Sequence, residues 1–212
     1  GSDITVPVLE QIFTDQRKIL GKRVNRDVTK IPQVLIPYTE VLGLYNQGLK
    51  VPDDVIICWP DDNFGNIRQL PDQKERHRSG GSGIYYHFQW LNGATTAYTW
   101  TCTTPLALTW SEMKKAYDWG ANKLWVVNVG DIKPAEINIE YFMQMAWDIS
   151  VWDHHNSRQF ITQWATREFG QEHASQIADI MNKHHELGYA RRPENMGMWN
   201  ERENKLSWEW FN

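Results

Sequence analysis

Apolar residues in this chain form short continuous runs, separated by longer stretches in which they recur at helical spacing. The first run, Gln33–Tyr38, is rich in β-branched residues and predicts a buried strand. Similar runs predict strands at Val55–Trp59, Ile84–Phe88 and Leu124–Val129. Strands that are apolar throughout are typical of parallel sheets, because helices cover both faces of such sheets.

The stretches between the runs predict helices. Apolar positions three and four residues apart indicate helices at Val8–Leu20, from Glu40 to about Gly48, at Trp110–Trp119 and at Glu136–Asp148. We expect the side chain of Thr39 to cap the second helix. Strands and helices that follow one another in this way predict an α/β fold, either an open doubly wound sheet or a barrel.

Chain length limits how much of a barrel is present. A complete (β/α)8 barrel takes about 250 residues, so four strands that end at Val129 amount to roughly half of a TIM-type barrel. Apolar positions from Ser157 to His185 predict a helical hairpin after it. We therefore predict a half-barrel of about four parallel βα units over residues 1–150 and a helical appendage over residues 151–212.

Composition excludes several classes of protein. With 41% hydrophobic and 23% charged residues the chain is not disordered, and it has no apolar run long enough to span a bilayer. The net charge is -4, without a basic stripe, which argues against nucleic acid as a partner. Cys58 and Cys102 allow one disulfide but no cysteine-rich metal site. Gly1-Ser2 is typical of a cloning remnant, so the absence of a signal peptide does not indicate a compartment.

Polar side chains follow all four predicted strands, at the points where parallel strands meet at one rim. The 12 Trp and 8 Tyr add flat apolar surfaces with a polar group, which suit the C–H faces of sugars. Carboxylates that converge with aromatic residues are what glycoside cleavage needs, because one carboxyl group protonates the leaving oxygen and a second activates water or attacks the sugar. The candidates at the four ends are Tyr38 and Glu40, then Asp61, Asp62 and Asn63, then His87, Gln89 and Trp90, and finally Asn128 and Asp131.

Each candidate also has a structural explanation. Glu40 suits the first turn of a helix, and Asp61 or Asp62 suits a capping position. His87 alone would be a hydrogen-bonded core histidine, and Asn63 and Asn128 suit turns. The coincidence at four consecutive strand ends favours a functional site.

Three other features favour structural roles. The segment Gly80–Gly83 precedes a strand and lacks the later glycine of the phosphate-binding fingerprint, so we interpret it as a flexible turn. The pairs His154-His155 and His184-His185 are sequence neighbours that point apart on a helix, which favours surface histidines over a metal site. Three arginines follow the second strand: Arg68, Arg76 and Arg78. They could bind a sugar carboxylate, but their positions favour a solvated helix face.

Four segments resemble one known family. They are Val51–Val55, Trp59–Arg68 with its Asp-Asp-Asn-x-Gly-Asn-Ile-Arg pattern, Gly80–Phe88, and Trp125–Glu136 with its Asn-Val-Gly-Asp-Ile-Lys-Pro pattern. In this order they are similar to glycoside hydrolase family 115, the xylan alpha-1,2-glucuronidases, over about Leu9 to Trp147.

The resemblance implies an inverting hydrolase that removes glucuronic acid or its 4-O-methyl ether from xylan, with residues 1–150 as the C-terminal part of the catalytic barrel. Glu40 matches the family's proposed general acid, and this role requires a water-poor setting that raises its pKa. Tyr38, Asp61, Asn63 and His87 match positions that line the sugar pocket. No metal and no organic cofactor are implied. We expect a secreted or periplasmic protein.

The chain departs from the family pattern in two respects. Gln89-Trp90 stands where members usually have Asp-Tyr, which predicts a changed substrate preference. The family's uronate-binding arginine and its catalytic base belong to a motif that normally lies upstream of the segments present here, so we expect this chain alone to be inactive. Its unpaired barrel edge predicts self-association.

Two other functions fit the same sequence. One is a non-catalytic carbohydrate-binding domain on a degenerate barrel, with Gln89, Trp90 and other tryptophans as its platform. The other is a barrel hydrolase that acts on a different sugar.

Overall fold

The structure is a computed structural model that describes residues 4–89 and 102–190. Its strands are β1 (Val34–Leu35), β2 (Ile56–Pro60), β3 (Ser82–His87) and β4 (Trp125–Asn128). Its helices are α1 (Val6–Arg23), α2 (Glu40–Asn46), α3 (Leu106–Asp118), α4 (Glu136–Trp147), α5 (Ser157–Phe169) and α6 (Gln171–Ala190).

The four strands form one sheet in the order β1-β2-β3-β4. Val34 pairs with Ile56 and Ile57 pairs with Ser82, both in parallel ladders. β4 runs in the same direction as β3, because the bonds between them advance along both strands together: Lys123 to Ser82, Ile84 to Leu124 and Phe88 to Asn128, each from amide to carbonyl. Four parallel strands in sequential order, with α2 between β1 and β2 and α3 between β3 and β4, confirm the predicted α/β class and the interpretation as part of a (β/α) barrel.

Two elements differ from their predictions. Only Val34 and Leu35 of the first predicted strand are paired, since Pro37 has no amide hydrogen and the amide of Tyr38 turns back to the Ile36 carbonyl. The connection from β2 to β3 contains a 3-10 turn at Glu75–His77 in place of an α-helix. The prediction that Arg68, Arg76 and Arg78 lie on a solvated helix face is therefore wrong.

Only the first part of the glycine-rich segment before β3 is a turn, which is closed by the bond from the Gly81 amide to the Arg78 carbonyl at 3.1 Å. Ser82 and Gly83 belong to the strand itself. A Cβ atom at Gly83 would lie 2.0 Å from the Leu124 carbonyl oxygen, and one at Gly80 would lie 2.5 Å from the Val55 carbonyl oxygen. The glycines are required because neighbouring backbones approach too closely for any side chain.

The described residues divide into two compact units. The first takes the described parts of 1–60, 69–85 and 118–126. Its core contains Ile57, Trp59 and Ile84, all with 0% exposure. Tyr45 packs edge to face on Trp59, with ring centroids 5.3 Å apart.

The second unit takes the described parts of 61–68, 86–117 and 127–212. Its core is aromatic: Tyr86 stacks with Phe142 at a centroid distance of 6.0 Å, and Phe160 packs edge to face on Tyr141 at 5.0 Å. Helices α5 and α6 pack against each other after a turn at Gly170, which has φ 87°. This confirms the predicted helical hairpin.

Two further sequence expectations concern the thiols and the membrane. Cys58 and Cys102 are both buried, and no disulfide joins them. Burial raises the pKa of the Cys58 thiol to about 11. Within the described residues, no helix combines the length and the apolarity needed to cross a membrane.

Candidate active site

The loop that follows β2, which we call the Asp61–Arg68 loop, carries three of the predicted site residues. The amide of Asp62 donates to the Asn66 carbonyl at 2.9 Å, and this bond closes the turn. Asn63 and Gly65 both have positive φ, 66° and 88°. Asparagine and glycine are the residues that adopt this conformation most readily, so the Asp-Asp-Asn-x-Gly pattern itself directs the chain into the turn.

Asp62 organises this loop from within. Its carboxylate accepts hydrogen bonds from the amide of Phe64 at 3.0 Å and from the amide and side chain of Asn66 at 3.0 to 3.2 Å. It also forms an ion pair with Arg68, whose Nη2 lies 2.8 Å from Oδ2. The predicted capping role of Asp62 therefore matches its contacts, and the charge of Arg68 already has a partner.

Asp61 links the loop to the end of β3. Its Oδ1 lies 2.6 Å from Nδ1 of His87 and accepts from the amide of Asn63 at 3.2 Å. Its Oδ2 accepts from the amides of Gly65 at 3.0 Å and His87 at 3.2 Å. The side chains of Asp61 and His87 are 0% and 1% exposed. The structure thus brings the side chains of Asp61 and His87 together and bonds the backbone amide of Asn63 to Asp61.

Burial dominates the electrostatics of Asp61. Removal from water raises the pKa of its carboxyl group, and the hydrogen bond from His87 acts in the opposite direction. A buried carboxylate normally needs a full set of donors to remain charged. Asp61 has four, three of which are backbone amides.

Two sets of contacts that the sequence did not reveal hold the same loop. The hydroxyl of the fully buried Tyr86 donates to the Gly65 carbonyl at 2.9 Å. From α3, Glu112 accepts from the amide of Ile67 at 2.6 Å, and Lys115 donates to the Ile67 carbonyl at 3.3 Å. The glycine after Asp-Asp-Asn was the available signal for the first contact. The second depends on long-range packing and has no local signal.

The third and fourth strand ends meet through their backbones. The amides of Phe88 and Gln89 approach the Asn128 carbonyl at 2.9 and 3.4 Å. Gln89 is buried, Asn128 is half-buried, and Asp131 is exposed. Trp90 lies outside the described residues. Asn128 also accepts from the amide of Gly130 at 3.4 Å, in keeping with the turn role that its sequence position suggested.

Tyr38 and Glu40 belong to the first unit. The ring of Tyr38 packs edge to face on Tyr85 at a centroid distance of 5.7 Å. Glu40 opens α2 and is exposed. Thr39 does not cap this helix: with φ 51° its hydroxyl donates instead to the carboxylate of Glu40. The cap prediction is therefore wrong, because the left-handed backbone turns the Thr39 side chain away from the helix amides.

The setting of Glu40 differs from the one that a general acid requires. Hydrogen bonds from the Thr39 hydroxyl and from its own amide lower the pKa of Glu40. A general acid that works near neutral pH needs the opposite shift, which comes from loss of contact with water. In this chain the carboxylate of Glu40 faces water.

The remaining predicted features have structural roles. Arg78 donates to the carbonyls of Val51, Pro52 and Val55, and Arg76 stacks over Trp119 at 4.3 Å. His185 is buried, contrary to the surface prediction, because α6 turns it inward. Among residues 4–89 and 102–190, no cluster of His, Cys, Asp and Glu could hold a metal ion.

The fold and the strand-end loops define the class: part of a parallel (β/α) barrel with polar side chains at the carboxyl ends of its strands, which is where barrel enzymes carry their active sites. The model of glycosyl hydrolase family 115 matches residues 2–195. The chain belongs to this family.

One solved structure supports this assignment and shows how much of a complete family member the chain covers. It is described as a novel family GH115 4-O-methyl-alpha-glucuronidase with specificity for decorated arabinogalactans. It is 43% identical to this chain, with a TM-score of 0.87 over 98% of this chain. The chain spans 28% of the length of that protein. A comparison with the curated proteins gives no significant match.

Proposed function

We propose that this chain is part of a longer glycoside hydrolase that removes glucuronic acid or its 4-O-methyl ether from a decorated polysaccharide. The observation that carries the proposal is the 43% identity, over 98% of the chain, to a 4-O-methyl-alpha-glucuronidase. A polysaccharide substrate agrees with a secreted or periplasmic location, which we include in the proposal. Exposed Val34 on the edge strand β1 agrees with the expected self-association of the isolated chain.

The proposed mechanism is inverting, with Glu40 as general acid and the base supplied from outside this chain. Inversion needs two carboxyl groups about 6.5–9.5 Å apart with a water between them. Asp61 and Asp62 are poor candidates for the base, because their oxygens already accept hydrogen bonds from backbone amides and from His87, Asn66 or Arg68. Because the oxygens of Asp61 and Asp62 are already occupied, the catalytic base is expected to lie outside this chain. This agrees with the expectation that the isolated chain is inactive.

The acid role of Glu40 makes a specific demand. Its pKa must rise when the sugar and the rest of the enzyme exclude water, since in this chain the Thr39 hydroxyl holds the pKa low. Glu40 must therefore exchange the ionised state, which accepts from Thr39, for a protonated state that donates its O–H to the glycosidic oxygen. The exposed position at the start of α2 leaves the carboxylate accessible for that exchange.

Two polysaccharides are candidates for the carrier of the uronic acid. Glucuronoxylan follows from the family resemblance. Glucuronidated arabinogalactan is the second candidate, because the similar solved structure is specific for decorated arabinogalactans. Replacement of the usual Asp-Tyr by Gln89-Trp90 agrees with a preference that differs from that of the xylan enzymes.

The test is release of 4-O-methylglucuronic acid from each polysaccharide by the complete protein and by the 212-residue chain. We expect the complete protein to act and the chain alone to be inactive. Glu40→Gln should lower kcat about 10²–10⁴-fold, the usual contribution of a general acid. Glu172→Gln is the matched control, because Glu172 is also an exposed glutamate in a first helical turn, and its activity should be unchanged.

Three outcomes would contradict the proposal. Full activity of Glu40→Gln would remove Glu40 from the acid role. Binding of both polysaccharides by the complete protein without turnover would favour a carbohydrate-binding domain. Release of a different sugar would favour the alternative barrel hydrolase.

A further inference from the structure

Asp61 has no lone pair to offer to a substrate. An ionised carboxylate has about four acceptor positions. In Asp61 they are taken by the amides of Asn63, Gly65 and His87 and by Nδ1 of the His87 ring. A sugar hydroxyl could bind to Asp61 only by displacing one of these donors, and the side chain is 0% exposed.

The short contact with His87 requires a proton between the two groups. Oδ1 of Asp61 and Nδ1 of His87 are 2.6 Å apart, and two bare acceptors would repel each other at that distance. Oδ1 of Asp61 accepts from the amide of Asn63 as well, which makes the carboxylate the acceptor and places the proton on the nitrogen. The three backbone amides that donate to Asp61 also favour its charged form.

We infer that Asp61 is a positioning residue, which holds the His87 ring in the Nδ1–H tautomer and leaves Nε2 as the ring's acceptor. The inference gives Asp61 a role different from the sugar contact that the family resemblance implies. It does not depend on the proposed function, because the tautomer follows from the contact between Asp61 and His87 alone.

The variant Asp61→Asn tests this with little change in shape. The asparagine oxygen is best placed where Oδ2 is now, since there it accepts from the amides of Gly65 and His87 at 3.0 and 3.2 Å. The side-chain NH2 then faces Nδ1 of His87. The same NH2 group also meets the amide of Asn63, which lies 3.2 Å from Oδ1 in the wild type. The contact with His87 is shorter, at 2.6 Å, and the ring can relieve it by moving its proton to Nε2, which is the expected result.

The experiment is long-range 1H–15N NMR of the imidazole rings in the 15N-labelled chain at pH 8. The chain has 7 histidines, and the His87 signals are assigned as those lost in His87→Gln. We expect a neutral His87 ring with Nδ1 protonated in the wild-type chain and with Nε2 protonated in Asp61→Asn. Asp62→Asn is the matched control, because it removes the same charge from a buried neighbour that bonds to Asn66 and Arg68 and not to His87. Its His87 signals should keep the wild-type pattern.

The wild-type spectrum decides the inference even if Asp61→Asn does not fold. A bare Nδ1, or a ring protonated at both nitrogens at pH 8, would overturn it. An unchanged tautomer in folded Asp61→Asn would do the same. Failure of the complete protein to release uronic acid would refute the proposed function and leave these spectra, which do not depend on activity, to decide the tautomer.

Discussion

The Asp61–Arg68 loop depends on a glycine at its centre, so Gly65→Ala should be strongly destabilising. Gly65 has φ 88°, and an added Cβ would lie 2.7 Å from the hydroxyl oxygen of Tyr86 and 3.2 Å from Cγ2 of Thr104. The left-handed backbone costs about 1–2 kcal/mol for a residue with a side chain. Displacing the buried Tyr86 hydroxyl from its 2.9 Å bond to the Gly65 carbonyl adds about 1–3 kcal/mol. The total is about 2–5 kcal/mol.

Gly48→Ala separates the two contributions. Gly48 also has a positive φ, 100°, but an added Cβ would meet nothing within 4 Å. This variant should therefore cost only the backbone part, about 1–2 kcal/mol. The measurement is urea unfolding followed by tryptophan fluorescence, with the midpoint and slope compared among the variants.

A double-mutant cycle with Tyr86→Phe identifies the steric partner. Removing the hydroxyl relieves the contact, so the cost of Gly65→Ala should be smaller in the Tyr86→Phe background than in the wild type, by about 1 kcal/mol or more. The reasoning is refuted if Gly65→Ala is no more destabilising than Gly48→Ala, or if the two changes at Gly65 and Tyr86 are simply additive.

Two further changes test the core. Burial, with a smaller effect of His184, lowers the pKa of His185 to about 4, so the neutral ring is favoured in the folded state. The contribution of this group to the free energy of unfolding is complete above about pH 6.5 and falls by up to about 3 kcal/mol as the pH falls towards 4. His185→Leu should therefore flatten the pH dependence of the urea midpoint. A curve as steep as that of the wild type would contradict this assignment. Gly83→Ala should lower the free energy of unfolding by more than about 3 kcal/mol, since its Cβ would lie 2.0 Å from the Leu124 carbonyl oxygen. Gly43→Ala is the control, because its Cβ would meet nothing within 4 Å, and it should be neutral or stabilising. Thermal denaturation compares the two variants.

The aromatic residues show why composition alone does not locate a sugar platform. Trp59 and Trp152 are buried in the cores of their units, whereas Trp119 and Trp147 are 48% and 93% exposed. Trp119 is already stacked under Arg76. A high tryptophan content therefore shows only that the chain has many flat apolar rings. The tertiary structure decides which of these rings face water.

The sequence by itself determined the class of the fold. Continuous β-branched runs such as Val55–Trp59 are stable only where helices cover both faces of a parallel sheet, and a single sequence carries this pattern in full. It also determined the turn after β2, since Asn63 and Gly65 are the residues that tolerate positive φ. Local preference and final structure agree at these places.

Tertiary structure alone decided the details of the site. The sequence could not show that Asp61 is saturated by His87 and backbone amides, because the two residues are 26 positions apart. Nor could it show that Gly83 is needed for the approach of the Leu124 backbone, or that Thr39 fails to cap α2. Burial and hydrogen-bond partners are properties of the packed chain, and they set the tautomer and the pKa on which the chemistry depends.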